Sequence, residues 1–299
     1  MARVDAYEKI TEQITSMLEG GTVPWRKPWN AAGSAPTSLS TGKPYRGINV
    51  MILSMTALME GYGSPFWGTY KQITERGGQV NKGEKATHVT LWTKAESKKD
   101  KNADGTPKTF MFMRTFPVFS VDQADWTDGV KPERPALTEH DPIAEAEALA
   151  AAYLENGPSL SFGGGRAFYS PSRDAVQMPE MGAFHSPEEY YSTLFHELTH
   201  STGHASRLER DGVTEGHRFG DADYSKEELI AEMGAAFLCA ETGINPDVTL
   251  ANSASYIANW LKALKDDPKM IVQAASKAQK AAEFVVAAGT VEDEASEAA

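Results

Sequence analysis

The stretch from Tyr190 to His204, YYSTLFHELTHSTGH, restricts the possible folds more than any other part of the chain. His196 and His200 are four residues apart, so on a helix their imidazoles share a face and can converge on one ion. Tyr190, Leu194 and Leu198 supply an apolar face behind them. The segment therefore reads as a helix buried on one side and open to a ligand on the other. That face weakens the simpler alternative of two surface histidines. Glu197, beside the first histidine, is placed to take a proton from a water that a zinc ion activates.

A His-Glu-x-x-His pair needs a third ligand. Metzincins continue the pattern as His-x-x-Gly-x-x-His; Gly203 fits, but Ser206 stands where the last histidine belongs. His204 would converge only if the helix ran on through Gly203. The better source is EELIAEMGAAFL, where Glu228 and Glu232 are four apart on one face with Leu229, Ile230, Met233, Ala236 and Phe237 around them. In gluzincins one carboxylate of such a helix binds the metal, and an acid one turn on often orients a ligating histidine. Glu228 is assigned as ligand and Glu232 as the orienting acid, with the reverse as the alternative. Zn²⁺ suits two imidazoles and a carboxylate, and Mn²⁺ or Co²⁺ also fit. His204, His217, Tyr224 and Tyr256 are candidate contacts to a substrate carbonyl. DAVQMP, Asp174 to Pro179, is a candidate edge strand for an extended peptide.

Charge is divided along the 299 residues. Residues 20–99 hold 11 Lys and Arg against 4 Asp and Glu, whereas residues 131–299 hold 13 against 28. The first half can attract a polyanion that the second would repel. Its cations alternate with aromatics: Trp25, Arg26, Lys27 and Trp29 in PWRKPW, then Lys43, Tyr45, Arg46 and Asn49 in GKPYRGIN. Trp67, Tyr70, Lys71 and Gln72 follow in FWGTYKQ, and Lys82 and Lys85 in NKGEK. Rings stack on unpaired bases while cations follow phosphates, so these are candidate single-stranded nucleic-acid contacts. A core role for any one tryptophan is the competing reading. GGQVNKGEK is not a phosphate-binding loop, because Glu84 stands where lysine is needed.

Periodicity predicts helices over DAYEKITEQITSMLE, INVMILSMTALME, a short piece of WGTYKQITER, PIAEAEALAAAYLE and three long segments after residue 224. THVTLWTK and FMFMRTFPVFSV read as strands, joined by a polar connection, AESKKDKNADGTP, expected to be mobile. RAFYS and DAVQMP are short strand candidates. The single cysteine, Cys239, lies in an apolar run and fits packing in a reducing compartment. No run is long and apolar enough to span a bilayer, and the first residues show no secretory signal. The expectation is a cytoplasmic protein with no membrane partner.

In order along nearly the whole chain, GTVPWRKPW, GKPYRGIN, WGTYKQITERGGQVNKGEKA, HELTHSTGH followed by RL, and EELIAEMGAAFL resemble the ArdC-type antirestriction proteins of conjugative plasmids. The resemblance implies an α+β fold in two parts. The first is a small single-stranded DNA-binding domain. The second is a mainly helical zincin-like metallopeptidase domain with a short edge sheet. It also implies protection of incoming plasmid DNA from host restriction, with His196, Glu197 and His200 matching the metalloprotease motif and Glu228 and Glu232 the acidic helix. The expected boundaries are 1–128, a linker at 129–140, 141–289, and a disordered acidic tail at 290–299. Partners would be single-stranded DNA and a protein substrate associated with DNA or with a restriction system. The alternative is a non-proteolytic DNA-binding protein whose metal is structural or inactive.

Overall fold

The computed structural model describes residues 6–20, 23, 35–101, 104, 106–127, 131–132, 142–214, 222–244 and 253–296. Helix α1 (Ala6–Glu19) buries Ile10, Ile14 and Leu18, the stripe its spacing predicts. Helix α2 (Ile48–Glu60) is apolar on most sides and buried along most of its length. It stops at Gly61, whose φ of 74° is the left-handed conformation glycine adopts without strain. A four-stranded sheet lies beside it, in the order β1 (Thr37–Ser38), β2 (Phe66–Gly68), β5 (Pro107–Ser120), β4 (Thr87–Lys101). Between β2 and β4 come α3 (Tyr70–Glu75), opened by a Thr69–Gln72 capping box, and β3 (Gly78–Val80), which pairs with β6 (Ala124–Trp126).

Strands β4 and β5 differ from the sequence expectation. The stretch 95–108 is largely a continuation of the hairpin, with Ala95 opposite Phe110, Glu96 opposite Thr109 and, past an irregularity, Lys101 opposite Pro107. The register set by the buried base of the hairpin carries on outward through backbone pairing. Side-chain polarity does not oppose this, since both faces there meet water.

The second half is mostly helical: α4 (Pro142–Glu155), α5 (Pro187–Ser201), α6 (Asp211–Thr214), α7 (Ala222–Glu241), α8 (Ser253–Asp266) and α9 (Met270–Ser296). The architecture as a whole is thus α+β. Helix α7 packs against both α5 and α9, and Cys239 is buried within it, its thiol pushed up to about 12 by burial. Helix α9 runs on to Ser296, into the acidic stretch expected to be disordered; Ala and Glu are among the best helix formers. Three short strands, β7 (Ser159–Phe162), β8 (Phe168–Ser170) and β9 (Ala175–Met178), form a sheet in the order β7-β9-β8. The candidate edge strand DAVQMP is therefore the centre of its sheet. The four residues of β7, too short to show a period, cover one edge in parallel, and β8 covers the other.

One buried cluster joins Ile10, Ile14 and Leu18 of α1, Ile48, Met51 and Ile52 of α2, and the helices of the second half. Thr11 Oγ1 donates to the carbonyl of Pro268 across that contact, at 2.6 Å. A separate cluster of Leu53, Ala57, Trp67, Val89 and Val118 sits under the four-stranded sheet.

Candidate metal centre and basic face

Helix α5 begins with Ser186 accepting a hydrogen bond from the backbone N–H of Glu189, Pro187 in the first turn, and Glu188 and Glu189 against the positive helix end. It is pressed onto α7 at Gly234, where a Cβ would lie 2.4 Å from Thr199 Cγ2. That close approach brings α7 within reach of the histidines. His196 Nε2 and His200 Nε2 are 3.1 Å apart. Glu228 puts Oε1 at 3.4 Å from His200 Nε2 and Oε2 at 3.7 Å from His196 Nε2. Ligands held about 2.0–2.2 Å from a tetrahedral ion stand roughly 3.3–3.6 Å from one another. The donor set and its spacing fit a divalent cation, and these three residues are the one such group among the described residues.

Glu197 is buried on α5 between the two histidines. Glu232, one turn beyond Glu228, is not in the convergent group. Glu227, which the sequence reading did not single out, also meets a histidine: its Oε1 lies 3.3 Å from His200 Nδ1. Burial disfavours charge on His200, yet its bonds to Glu227 and Glu228 outweigh this and raise its pKa to about 10. Burial also pushes the Glu227 carboxyl up, but His200 and Arg210 together hold it below its ordinary value. For His200 to offer Nε2 to a cation, that nitrogen must be free of its proton.

His204 follows the end of α5, its Nδ1 2.8 Å from Ser206 Oγ, and is not part of the group. Gly203 is needed for a reason other than the metzincin pattern. A Cβ there would lie 2.5 Å from Val213 Cγ2 and 3.0 Å from Arg210 Cζ. Arg207 donates to the Ser201 carbonyl at 2.8 Å and to Asp174 at 2.9 Å, tying the end of α5 to the three-stranded sheet. His217 lies outside the described residues. Tyr224 and Tyr256 fall in the first turns of α7 and α8, with side chains outside the described part.

The basic half is less concentrated. Trp25, Arg26, Lys27 and Trp29 lie outside the described residues. Trp67 is 1% exposed and packs edge-on with Tyr62, so its ring is core and no base can stack on it. Asn49 is occupied as well: its amide donates to the Thr90 carbonyl and accepts from the Thr90 N–H. Gln72 closes the cap of α3. Tyr45 is half-buried, and Arg46 pairs with Glu283 of α9. Lys43, Tyr70, Lys71, Lys82 and Lys85 are exposed, although Lys71 faces Glu75, and Tyr70 and Lys82 share a pocket with Glu84 and Asp125.

Sequence reasoning missed the outer β4–β5 hairpin. Leu91 opposite Arg114, Thr93 opposite Phe112 and Ala95 opposite Phe110 put an aromatic and cationic row on one face. Leu91 and Phe110 are each more than half exposed. The Phe110 and Phe112 rings are 6.0 Å apart, with the Arg114 guanidinium 5.8 Å from the Phe112 centroid. The alternation in FMFMR was the available signal.

Comparison with known proteins agrees with this geometry. Residues 4–119 match the N-terminal domain of anti-restriction factor ArdC, and residues 144–277 match a zincin-like metallopeptidase. The crystal structure of metal-free antirestriction ArdC protein from the R388 plasmid superposes with a TM-score of 0.77 at 41% identity, covering 96% of this chain and 98% of that one. The chain belongs to the ArdC antirestriction family. The Mn(II)-bound form of the same ArdC protein superposes at 0.74. Among curated relatives, an uncharacterized protein of Sinorhizobium fredii, y4eC, is 38% identical over 94% of this chain and 91% of its own length. DNA primase TraC of Escherichia coli is 37% identical over 94% of this chain, which spans only 27% of the primase. The family thus joins an ArdC-type N-terminal region to a zincin-like fold, and the convergent histidines and Glu228 lie in the latter. No helix among the described residues is long and apolar enough to cross a membrane.

Proposed function

We propose that this chain protects plasmid DNA entering a restricting cell, by binding single-stranded DNA with its N-terminal half and hydrolysing a protein with a metal site in its helical half. The observation that carries the second part is the convergence of His196, His200 and Glu228 at 3.1–3.7 Å. A divalent ion held there would act as a Lewis acid toward a carbonyl and make water acidic enough to lose a proton near neutral pH. The donor set admits zinc, manganese or cobalt, and a Mn(II)-bound relative supports a divalent ion.

The chain's own residues would divide the remaining work. Glu197, buried on α5 and next in the chain to His196, takes the proton and returns it to the leaving amine. His196, His200 and Glu228 hold their donor atoms on rigid helices, so little reorganisation is needed. Single-stranded DNA is the proposed ligand of the exposed cations and of the Phe110–Phe112–Arg114 face, where no base partner competes for the rings as it would in a duplex. Tethering to DNA would raise the local concentration of a protein substrate working on the same DNA. Action would then be in the recipient cytoplasm.

The test is plasmid transfer into restricting and non-restricting recipients, with Glu197→Ala against wild type. Loss of protection, while folding, metal content and DNA binding persist, is the expected result. Protection that survives would assign the function to DNA binding alone.

A further inference from the structure

The metal ligands use one ring nitrogen of each histidine, and the other nitrogen of His200 is also committed. Its Nε2 faces His196 and Glu228, so Nδ1 must carry the proton if Nε2 is to offer a lone pair. Glu227 stands at that position, its Oε1 3.3 Å from Nδ1. Glu227 is 5% exposed, and an ionised carboxylate so buried survives only with a partner. The partner is Arg210, itself 5% exposed, with Nη2 at 2.6 Å from Oε1 and Nε at 3.0 Å from Oε2. Arg210 is anchored in turn: Nη1 donates to Thr202 Oγ1 at 2.6 Å and Nη2 to the Thr199 carbonyl at 2.7 Å. These anchors belong to the last turn of α5, where the helix dipole favours a cation.

The local backbone accommodates the pair. A Cβ at Gly203 would press on the guanidinium, and one at Gly212 would lie 2.9 Å from Glu227 Cβ. A surface ion pair needs no such room. Arg210 therefore connects the loop after α5 to the charge and aim of Glu227, and through it to His200.

We infer that Glu227 and Arg210 form a positioning pair that fixes the tautomer and orientation of His200, so that metal affinity is set in part by two residues that never touch the ion. The inference rests on the reading above that His196, His200 and Glu228 hold a divalent cation. The competing role is purely architectural: the pair would pin the 202–214 loop to α7 and leave the metal indifferent to it.

Two variants of the full chain separate these roles, titrated with Zn²⁺ against a chromophoric chelator. Arg210→Met with Glu227→Leu removes both charges together and leaves no unpaired ion in the interior, which favours a retained fold. Glu227→Gln keeps a neutral acceptor for Nδ1. The positioning role predicts a zinc affinity about 10–100-fold lower in the double variant, with partial recovery in Glu227→Gln. In zinc-loaded wild type the His200 Nδ1–H should resist solvent exchange by NMR, and in the double variant it should exchange rapidly. Thermal melts confirm that each titration is made on folded protein, and a double variant that fails to fold passes the decision to Glu227→Gln. Wild-type affinity with a protected Nδ1–H in a folded variant would overturn the inference in favour of the architectural role. A wild-type chain that takes up no zinc, or a Glu228→Ala chain that binds it equally well, would instead overturn the reading beneath it.

Discussion

Glu227 and Arg210 lie buried, with half-buried His200 within hydrogen-bond reach of Glu227, whereas Lys43, Lys71, Lys82 and Lys85 stand exposed at separate points of the N-terminal half. The difference follows from the two tasks. Holding an ion asks for a few donor atoms placed within fractions of an ångström, and only a packed interior can fix them so. Attracting a polyanion asks for sign and exposure, which mobile lysines supply without convergence. One region should therefore respond to substitution abruptly and the other by increments.

The most abrupt response is expected at the ligands. Glu228→Ala should abolish stoichiometric metal, measured by elemental analysis after dialysis, while His204→Ala retains it. Equal losses would return His204 to the site and dissolve the contrast. Next come the aromatics. Trp67→Ala should lower stability by about 3–5 kcal/mol, read from a denaturant midpoint, because it empties a core position under the sheet. Phe112→Ala should instead leave the midpoint nearly unchanged and weaken single-stranded DNA binding by roughly 1–3 kcal/mol. A Phe112→Ala chain that unfolds early but binds normally would make the hairpin face structural as well.

The helices and the metal motif were legible because each depends on spacing within one segment. Ile10, Ile14 and Leu18 announce α1, and His196 with His200 announce a shared face on α5. What was not legible depends on segments meeting. Glu227 beside Glu228 looks like an ordinary acidic pair until Arg210, seventeen residues earlier, is folded against it. Trp67, Asn49 and Gln72 have the composition of a binding surface, yet are used by the sheet cluster, by Thr90 and by the cap of α3. Residue type alone does not separate a ring offered to a base from one offered to a core.

The smallest predicted effect concerns acid. Asp174 has its pKa lowered, chiefly by its hydrogen bond from Arg207. A depressed carboxylate contributes stability above its unfolded pKa of about 4 and loses it as pH falls through the lower folded value. Thermal midpoints should therefore decline below about pH 4, and Asp174→Asn should flatten part of that decline. An unchanged pH profile would mean that the tie between the end of α5 and the three-stranded sheet does not depend on charge.

The bond pair between Asn49 and Thr90 has a consequence for how the protein keeps company with itself. Strand β4 is the outer strand of its sheet, and its neighbours Leu91 and Trp92 are exposed. An open strand beside apolar side chains is a template on which a second chain can add. The Asn49 amide takes the place of one residue of such an intruder, filling the outward N–H and carbonyl of Thr90 at 2.7 and 2.8 Å. An added strand would have to displace that amide, and Asn49→Ala would leave this donor and acceptor of β4 without their partner beside Leu91 and Trp92.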